Sequence, residues 1–343
     1  MRYQIEWTEA EITSVELVSS SVRQLELMPV KGTEHFTPGS HISFEVMINN
    51  LPETRSYSLV GLYEKNKPYR IAVKQLAESR GGSNYMWQLK PGAKIKVSRP
   101  ANNFELQFKP VDYLLVAGGI GITPVVGMAE ALASKNNNLA MVYVGNAQNE
   151  MPYIDQLTML LGDKLTVHTL EKDKTFFDFK KLIAAIKPGT QLYLCGPLAM
   201  MNEVRHQWEA HKLPPADLRF ETFGASGKFA PQTFKVSIPR LKLELTVEKN
   251  QSMLDVLNKA GADIMYDCVK GECGLCMVDI LSCSGEVDHR DFFLSDEQKK
   301  ENKKMCACVS RVAKGDIVID TAFRGTKKLN YKSAELSSTS SDK

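Results

Sequence analysis

Cysteine spacing in the last quarter of the chain constrains its fold more than any other feature. Three thiols read C-x4-C-x2-C, in Cys268-Val269-Lys270-Gly271-Glu272-Cys273-Gly274-Leu275-Cys276. A fourth follows after 29 intervening residues at Cys306 or 31 at Cys308. Four thiolates at this spacing hold the two irons of a plant-type [2Fe–2S] cluster, and the glycines Gly271 and Gly274 support that reading. Such a cluster moves one electron at a time, so the rest of the chain must supply and dispose of electrons. A structural zinc site would pair C-x2-C with a second C-x2-C or a histidine pair; no such pair lies at the right offset. A disulfide framework needs an oxidising compartment. The N-terminal tract Met1–Trp7 lacks the apolar core of a secretion signal, and the cysteine count of seven is odd.

The tract Met305-Cys306-Ala307-Cys308-Val309-Ser310-Arg311 resembles the C-V-S-R end of one ferredoxin family, which places the fourth ligand at Cys308 rather than Cys306. The extra residues then fall in a hairpin expected at Ser282–Glu286, upstream of Asp288-His289-Arg290-Asp291. Cys283 becomes a hairpin-tip thiol with no role.

The 343 residues allow two or three domains. Hydrophobic residues at 43% and charged residues at 24% are ordinary globular usage. A net charge of +3 is too small to draw nucleic acid. The long apolar tract Tyr113–Ala133 is interrupted by Gly118, Gly119, Gly121 and Pro124, so it reads as strand, turn and helix rather than a membrane span. With neither signal nor span, a cytoplasmic protein without membrane or nucleic-acid partners is expected.

Period-two strands fill the first segment: Val15–Val18, Val22–Leu27 and Tyr69–Lys74, separated by turns such as Thr37-Pro38-Gly39 and Lys90-Pro91-Gly92. Many short strands favour an antiparallel, six-stranded closed barrel over residues 1–110. Residues 111–225 alternate instead. Strands Tyr113–Ala117, Leu139–Val144, Leu165–Leu170 and Gln191–Leu194 are separated by helical stretches, which implies an α/β domain with a parallel sheet. A linker at 226–233 leads to strands Phe234–Ile238 and Leu241–Leu245 and a helix capped by Ser252. The third domain spans 234–322, and a disordered Ser-rich tail is expected over 323–343.

Two segments of the barrel suit a flavin phosphate. Arg55-Ser56-Tyr57-Ser58-Leu59 ends a strand, and Arg80-Gly81-Gly82-Ser83 opens a helix whose glycine-freed amides make an anion site. Tyr57 is placed to stack on the flavin ring, and the Ser58 hydroxyl to bond near the flavin N5 that receives hydride. Gly118-Gly119-Ile120-Gly121-Ile122-Thr123-Pro124, between strand and helix, suits a pyrophosphate at a helix N-terminus, although it is not G-x-G-x-x-G. Cys195-Gly196-Pro197 follows the fourth strand at the sheet's carboxyl end, where Cys195 is placed to line a nicotinamide pocket. The turn Gly145–Glu150 carries no Lys or Arg for a 2′-phosphate, which favours NADH over NADPH, although Lys172 after the third strand could compensate.

In this order the motifs resemble the phthalate dioxygenase reductase family, which includes the reductases of vanillate O-demethylase and carnitine monooxygenase. The resemblance spans about residues 10–320 and rests on Arg55–Leu59, Arg80–Ser83, Gly118–Pro124, Cys195–Pro197, the cysteine loop and Asp288–Asp291. It implies an FMN-binding barrel, an NAD-binding α/β domain and a C-terminal plant-type ferredoxin domain of β-grasp fold. It also implies FMN rather than FAD, an aromatic residue beside the flavin at Phe223, and a separate terminal oxygenase with a Rieske centre as electron acceptor. Ser58, Cys195 and Phe223 are then the catalytic-site residues. Acidic groups around the cluster loop, Glu272, Asp279 and Glu286, are expected to dock the partner. Two other readings compete. A redox sensor would need an output element, and none is seen. A free-standing flavin or ferric reductase would turn over without its cluster.

Overall fold

A computed structural model describes residues 6–48, 50–75, 81–223 and 229–321. Arg80 of the expected phosphate turn, residues 224–228 of the linker region and the tail beyond Thr321 lie outside the described residues.

The first strands are β1 (Thr8–Ser19), β2 (Val22–Pro29), β3 (His41–Ile48), β4 (Leu51–Ser58), β5 (Tyr69–Lys74) and β6 (Lys94–Val97), with helix α1 (Gly82–Gln88) before β6. In β3 buried residues alternate with more exposed ones, so one face of the strand looks into a core. The antiparallel sheet runs β4-β3-β6-β1-β2-β5. Its two edges meet where Leu59 bridges Ile71 and the Val60 amide donates to the Arg70 carbonyl. The sheet thereby closes around Ile12, Leu25, Ile42, Phe44 and Ile71, as the series of short strands implies.

The chain then alternates: β7 (Tyr113–Gly118), α2 (Thr123–Ser134), β8 (Leu139–Gly145), α3 (Ile154–Leu161), β9 (Leu165–Thr169), α4 (Leu170–Asp173), α5 (Phe179–Ala184), β10 (Gln191–Cys195), α6 (Leu198–Ala210) and β11 (Leu218–Glu221). Every residue of β7 and β10 is buried, as expected of central strands in a parallel sheet with both faces covered. The order is β11-β10-β7-β8-β9. From β7 the chain moves outward to β8 and β9, then returns to place β10 on the other flank of β7. Strand order therefore reverses between β7 and β10, and the crevice at their carboxyl ends is where such sheets bind ligands.

The last segment comprises β12 (Phe234–Ile238), β13 (Leu243–Val247), α7 (Met253–Lys259), β14 (Met277–Cys283), β15 (Glu286–Asp288), α8 (Asp296–Glu301), β16 (Lys304–Cys306), β17 (Arg311–Ala313) and β18 (Ile317–Asp320). Five of these strands form the mixed sheet β13-β12-β18-β14-β16. The strand expected from Leu241 starts at Leu243, because Pro239–Leu241 make a 3-10 turn and Lys242 is left-handed. Ser252 caps α7 as its sequence implies, accepting from the Asp255 amide. The expected hairpin at Ser282–Glu286 is not one. β14 pairs with β16 and β18, whereas β15 pairs with β17 in a separate two-stranded sheet. The turn is pressed against backbone: a Cβ on Gly285 would stand 2.3 Å from the Ala313 carbonyl oxygen. Cys283 is in register with Ile317 and half-buried, so it is no tip thiol.

The three segments share cores. Val22, Val60 and Ala72 of the barrel pack with Leu115 and Val125 of the parallel-sheet segment. Phe292, between β15 and α8, is buried with Met201, Val204 and Trp208 of α6. Its ring lies 4.3 Å from that of Phe220, and the Arg205 guanidinium sits over it while donating to its carbonyl at 2.8 Å. Among the described residues no helix is long and apolar enough to cross a membrane.

Asp288–Asp291 brace the third segment. Arg290 and Asp288 form an ion pair at 2.7 Å with each side chain 2% exposed, and Arg290 also donates to the Phe229 carbonyl. Removing one partner of a buried pair costs about 3–5 kcal/mol, because a desolvated charge stays behind. Arg290→Ala is therefore expected to lower the melting temperature by several degrees, read by loss of visible circular dichroism from the cluster; a wild-type melt would contradict this.

Candidate functional site

β4 sets the flavin-side residues. Tyr57 packs edge-on against Phe44 with ring centroids 5.5 Å apart, the Ser56 and Ser43 hydroxyls lie 2.9 Å apart, and Ser58 is buried. The Arg55 guanidinium is anchored by Glu53 at 2.6 Å and by the Thr54 carbonyl at 2.9 Å. Its stem lies against the start of α1. A Cβ on Gly82 would stand 2.8 Å from Arg55 Nε, so only glycine lets the helix terminus approach the cation this closely. Ser83 is the next residue of the same turn, and Gly81 is its N-cap. The two phosphate-competent motifs named from sequence thus meet, a fixed positive charge beside a helix N-terminus. That arrangement fits a flavin phosphate.

At the strand-order reversal, β7 runs through Gly118 into a 3-10 turn at Gly119–Ile122 and then α2. Gly119 holds φ +52, a left-handed conformation. Thr123 donates its hydroxyl to the Ile120 carbonyl at 3.1 Å, and Pro124 occupies the first turn of α2, where its missing amide costs nothing. A Cβ on Gly121 would stand 2.3 Å from the Cys195 carbonyl oxygen and 2.7 Å from the Gly196 nitrogen. The glycine turn and the Cys195-Gly196-Pro197 turn are therefore in backbone contact, with Pro197 capping α6. Cys195 is fully buried, and that burial pushes its thiol well up. It remains protonated and is no nucleophile.

β11 carries a residue that sequence reasoning passed over. Glu221 is its last residue and is buried. Its Oε2 accepts from Ser58 Oγ at 3.4 Å, and its Oε1 pairs with Lys270 Nζ of the cysteine loop at 2.6 Å. Thr222 continues the seam: its amide donates to Glu272 Oε1, and its hydroxyl lies 2.9 Å from the Lys270 carbonyl and 2.7 Å from Glu272 Oε1. Phe223, the residue after Thr222, is 41% exposed. The available signal was the lone carboxylate in Phe220-Glu221-Thr222-Phe223, an acid set among aromatics at a strand end. Glu272, expected to dock a partner, is instead committed inward to Thr222. Asp279 pairs with Lys304 at 3.2 Å.

His41, at the start of β3, faces the same seam. Burial, then the Lys270 charge, lower its pKa to about 4. The folded state holds it neutral while the unfolded chain protonates near 6.5. Stability is thus fully present above about 6.5 and lost as pH falls toward 4, by about 3 kcal/mol in total. Denaturant melts across pH 4–7 read this slope. His41→Gln is expected to flatten it; an unchanged slope would contradict the assignment.

Around the cysteine loop, main-chain donors already point at sulfur. Cys268 Sγ accepts from the Lys270 amide at 3.4 Å and the Glu272 amide at 3.3 Å. The Gly271 amide bonds Cys308, which also lies close to Cys276 and Cys268. Cys276 sits between the thiols of Cys306 and Cys308, whose hydrogen bonds hold its own ionisation low. Cys273 is half-buried on the same loop. Among the described residues no group of three or more His, Cys, Asp or Glu side chains is arranged to hold a single metal ion. Four thiols spread over a loop and a turn fit a binuclear cluster better than a single zinc ion. Cys306 ends β16 in register with Met277, beside Asp291, whereas Cys308 lies in the turn facing Cys268. That turn is held by Ser310, which hydrogen-bonds Asp291 and the Arg290 amide, and by Arg311, which donates to the carbonyls of Gln232, Glu248 and Gln251.

Three family models match the chain: an oxidoreductase FAD-binding domain at residues 9–106, the N-terminal domain of dimethylamine monooxygenase subunit DmmA-like proteins at 94–218, and a 2Fe-2S iron-sulfur cluster binding domain at 237–313. Tetrachlorobenzoquinone reductase of Sphingobium chlorophenolicum is 34% identical over 90% of this chain and 96% of its own length. Phthalate dioxygenase reductase of Burkholderia cepacia is 31% identical, again over 90% and 96%. A solved phthalate dioxygenase reductase, described as a modular structure for electron transfer from pyridine nucleotides to [2Fe-2S], superposes with a TM-score of 0.72 at 31% identity, covering 92% of this chain and 98% of the other.

Proposed function

The chain belongs to the phthalate dioxygenase reductase family, and from that premise we propose that it passes electrons from NADH to the Rieske-type terminal component of a separate oxygenase. It is an oxidoreductase of the reductase class, with FMN, a [2Fe–2S] cluster and NADH as its redox groups. When bound, FMN would supply hydride acceptance from NADH, and the [2Fe–2S] cluster one-electron transfer onward.

The chain's own residues bind and orient. Arg55, Ser56 and the turn at Gly81, Gly82 and Ser83 hold the FMN phosphate, with Tyr57 along the ring. Ser58 offers its hydroxyl at the hydride-accepting edge. Gly118, Gly119, Gly121, Thr123 and Pro124 take the pyrophosphate of NADH, Cys195, Gly196 and Pro197 wall the nicotinamide, and Phe223 stands beside the flavin. Cys268, Cys273, Cys276 and Cys308 ligate the irons. Division at residues 110, 225 and 234 into barrel, nucleotide and ferredoxin domains, and a cytoplasmic location, belong to the same reading. The oxygenase partner is supported by a relative named for phthalate dioxygenase.

The observation that carries this reading is that Ser58, Glu221 and Lys270, one from each segment, touch in series. The test is NADH-driven turnover with a purified Rieske oxygenase, following oxygen consumption. Turnover lost in Cys268→Ser supports the path; turnover kept in that variant contradicts it. A second reading, a reductase acting directly on a small acceptor, is favoured by the relative named tetrachlorobenzoquinone reductase. It predicts quinone reduction in place of oxygenase turnover.

A further inference from the structure

We infer that Lys270 is a positioning residue that locks the cluster loop onto the flavin pocket by pairing with Glu221. The inference rests on the NADH-to-FMN-to-cluster reading above. Lys270 acts at both ends of the gap. Its main-chain amide donates to Cys268 Sγ, and its ammonium reaches Glu221, whose other oxygen accepts from Ser58. Its carbonyl lies 2.9 Å from the Thr222 hydroxyl, so side chain and backbone are both tied to the end of β11. One residue thus connects a cluster ligand to the group that touches the expected hydride-accepting edge.

Burial points the same way. The Glu221 side chain is 2% exposed and that of Lys270 17% exposed. A buried ion pair is a poor source of stability, since desolvation offsets most of the attraction, and its best-attested use is to fix register. Here the register is that of two docked domains. The loop is also under local constraint: Val269 holds φ +53, a conformation that β-branched residues rarely take. Such a conformation persists only where neighbours over-determine it. Lys270 is the next residue and supplies that anchoring.

Charge adds a second consequence. An anionic Glu221 beside the flavin would oppose the gain of electrons there, and the Lys270 cation offsets it. Removing the cation should make FMN harder to reduce and loosen the loop at once.

The test compares the wild-type holoprotein with Lys270→Met and Lys270→Arg by anaerobic stopped-flow mixing with NADH. Flavin bleaching and cluster reduction are read in one trace. In Lys270→Met the ratio of the cluster rate to the flavin rate is expected to fall at least tenfold, with recovery to within about threefold in Lys270→Arg. Two readouts need no cluster: the FMN midpoint potential, expected to move negative in Lys270→Met, and amide exchange at Thr222 and Lys270–Glu272, expected to quicken. They decide the matter even where Lys270→Met assembles no cluster. Wild-type ratio, potential and exchange in Lys270→Met would overturn the inference. Failure of the wild-type protein itself to reduce its cluster would instead overturn the reading on which it rests.

Discussion

Cys308→Ser is expected to give protein that bleaches its flavin with NADH yet carries no intact [2Fe–2S] signal, while Cys306→Ser keeps the cluster. The two thiols are two residues apart, and either spacing is tolerable on paper. Geometry separates them. Cys306 closes the β16 pairing with Met277 and is fully buried in the ferredoxin core. Cys308 lies in the following turn, where the Gly271 amide bonds it and Cys268 is close. Ser310 and Arg311 fix that turn through Asp291 and three carbonyls. Serine keeps the size of cysteine but is a poor soft ligand for iron, so loss at the true ligand position should be near complete. Iron and sulfide content with low-temperature EPR measures it. Loss of signal in Cys306→Ser with retention in Cys308→Ser would reverse the assignment.

Gly121→Ala should raise the KM for NADH at least tenfold. Its Cβ would stand 2.3 Å from the Cys195 carbonyl oxygen and 2.5 Å from the carbonyl carbon, and both are backbone. No side chain can swing aside, so the glycine turn and the Cys195–Pro197 turn must separate. Misplacement of a binding element by about 1 Å costs on the order of 10²-fold in rate. The residues assigned to the flavin phosphate lie on β4 and α1, and neither element takes part in this contact. Cluster reduction driven by photoreduced flavin should therefore proceed, whereas NADH-driven reduction slows. A KM within twofold of wild type would show that the turns do not need this contact.

Much of this architecture was legible in the residues. The apolar run Tyr113–Ala117 ending in glycines is a buried parallel strand and its ligand turn, because no other local structure buries such a run and then needs left-handed backbone. Ser252 before an apolar period is a helix cap. Arg55 and the glycines at 81–82 were readable as anion-competent pieces, although only the fold puts Gly82 against Arg55. What was not legible is long-range. Ser282–Glu286 has the composition of a hairpin turn, yet the strand after it pairs with β17, since pairing partners are chosen by the whole sheet. Glu221 and Lys270 are 49 residues apart, and nothing local marks either as half of an ion pair. Glu272 has the look of a surface acid on a loop and is spent on Thr222.

An anaerobic NADH titration of the purified protein, followed by visible absorbance and low-temperature EPR, tests the central claim most directly. The account predicts flavin bleaching together with a reduced [2Fe–2S] signal that grows with added NADH. Bleaching without that signal, in protein shown to contain iron and sulfide, would contradict it.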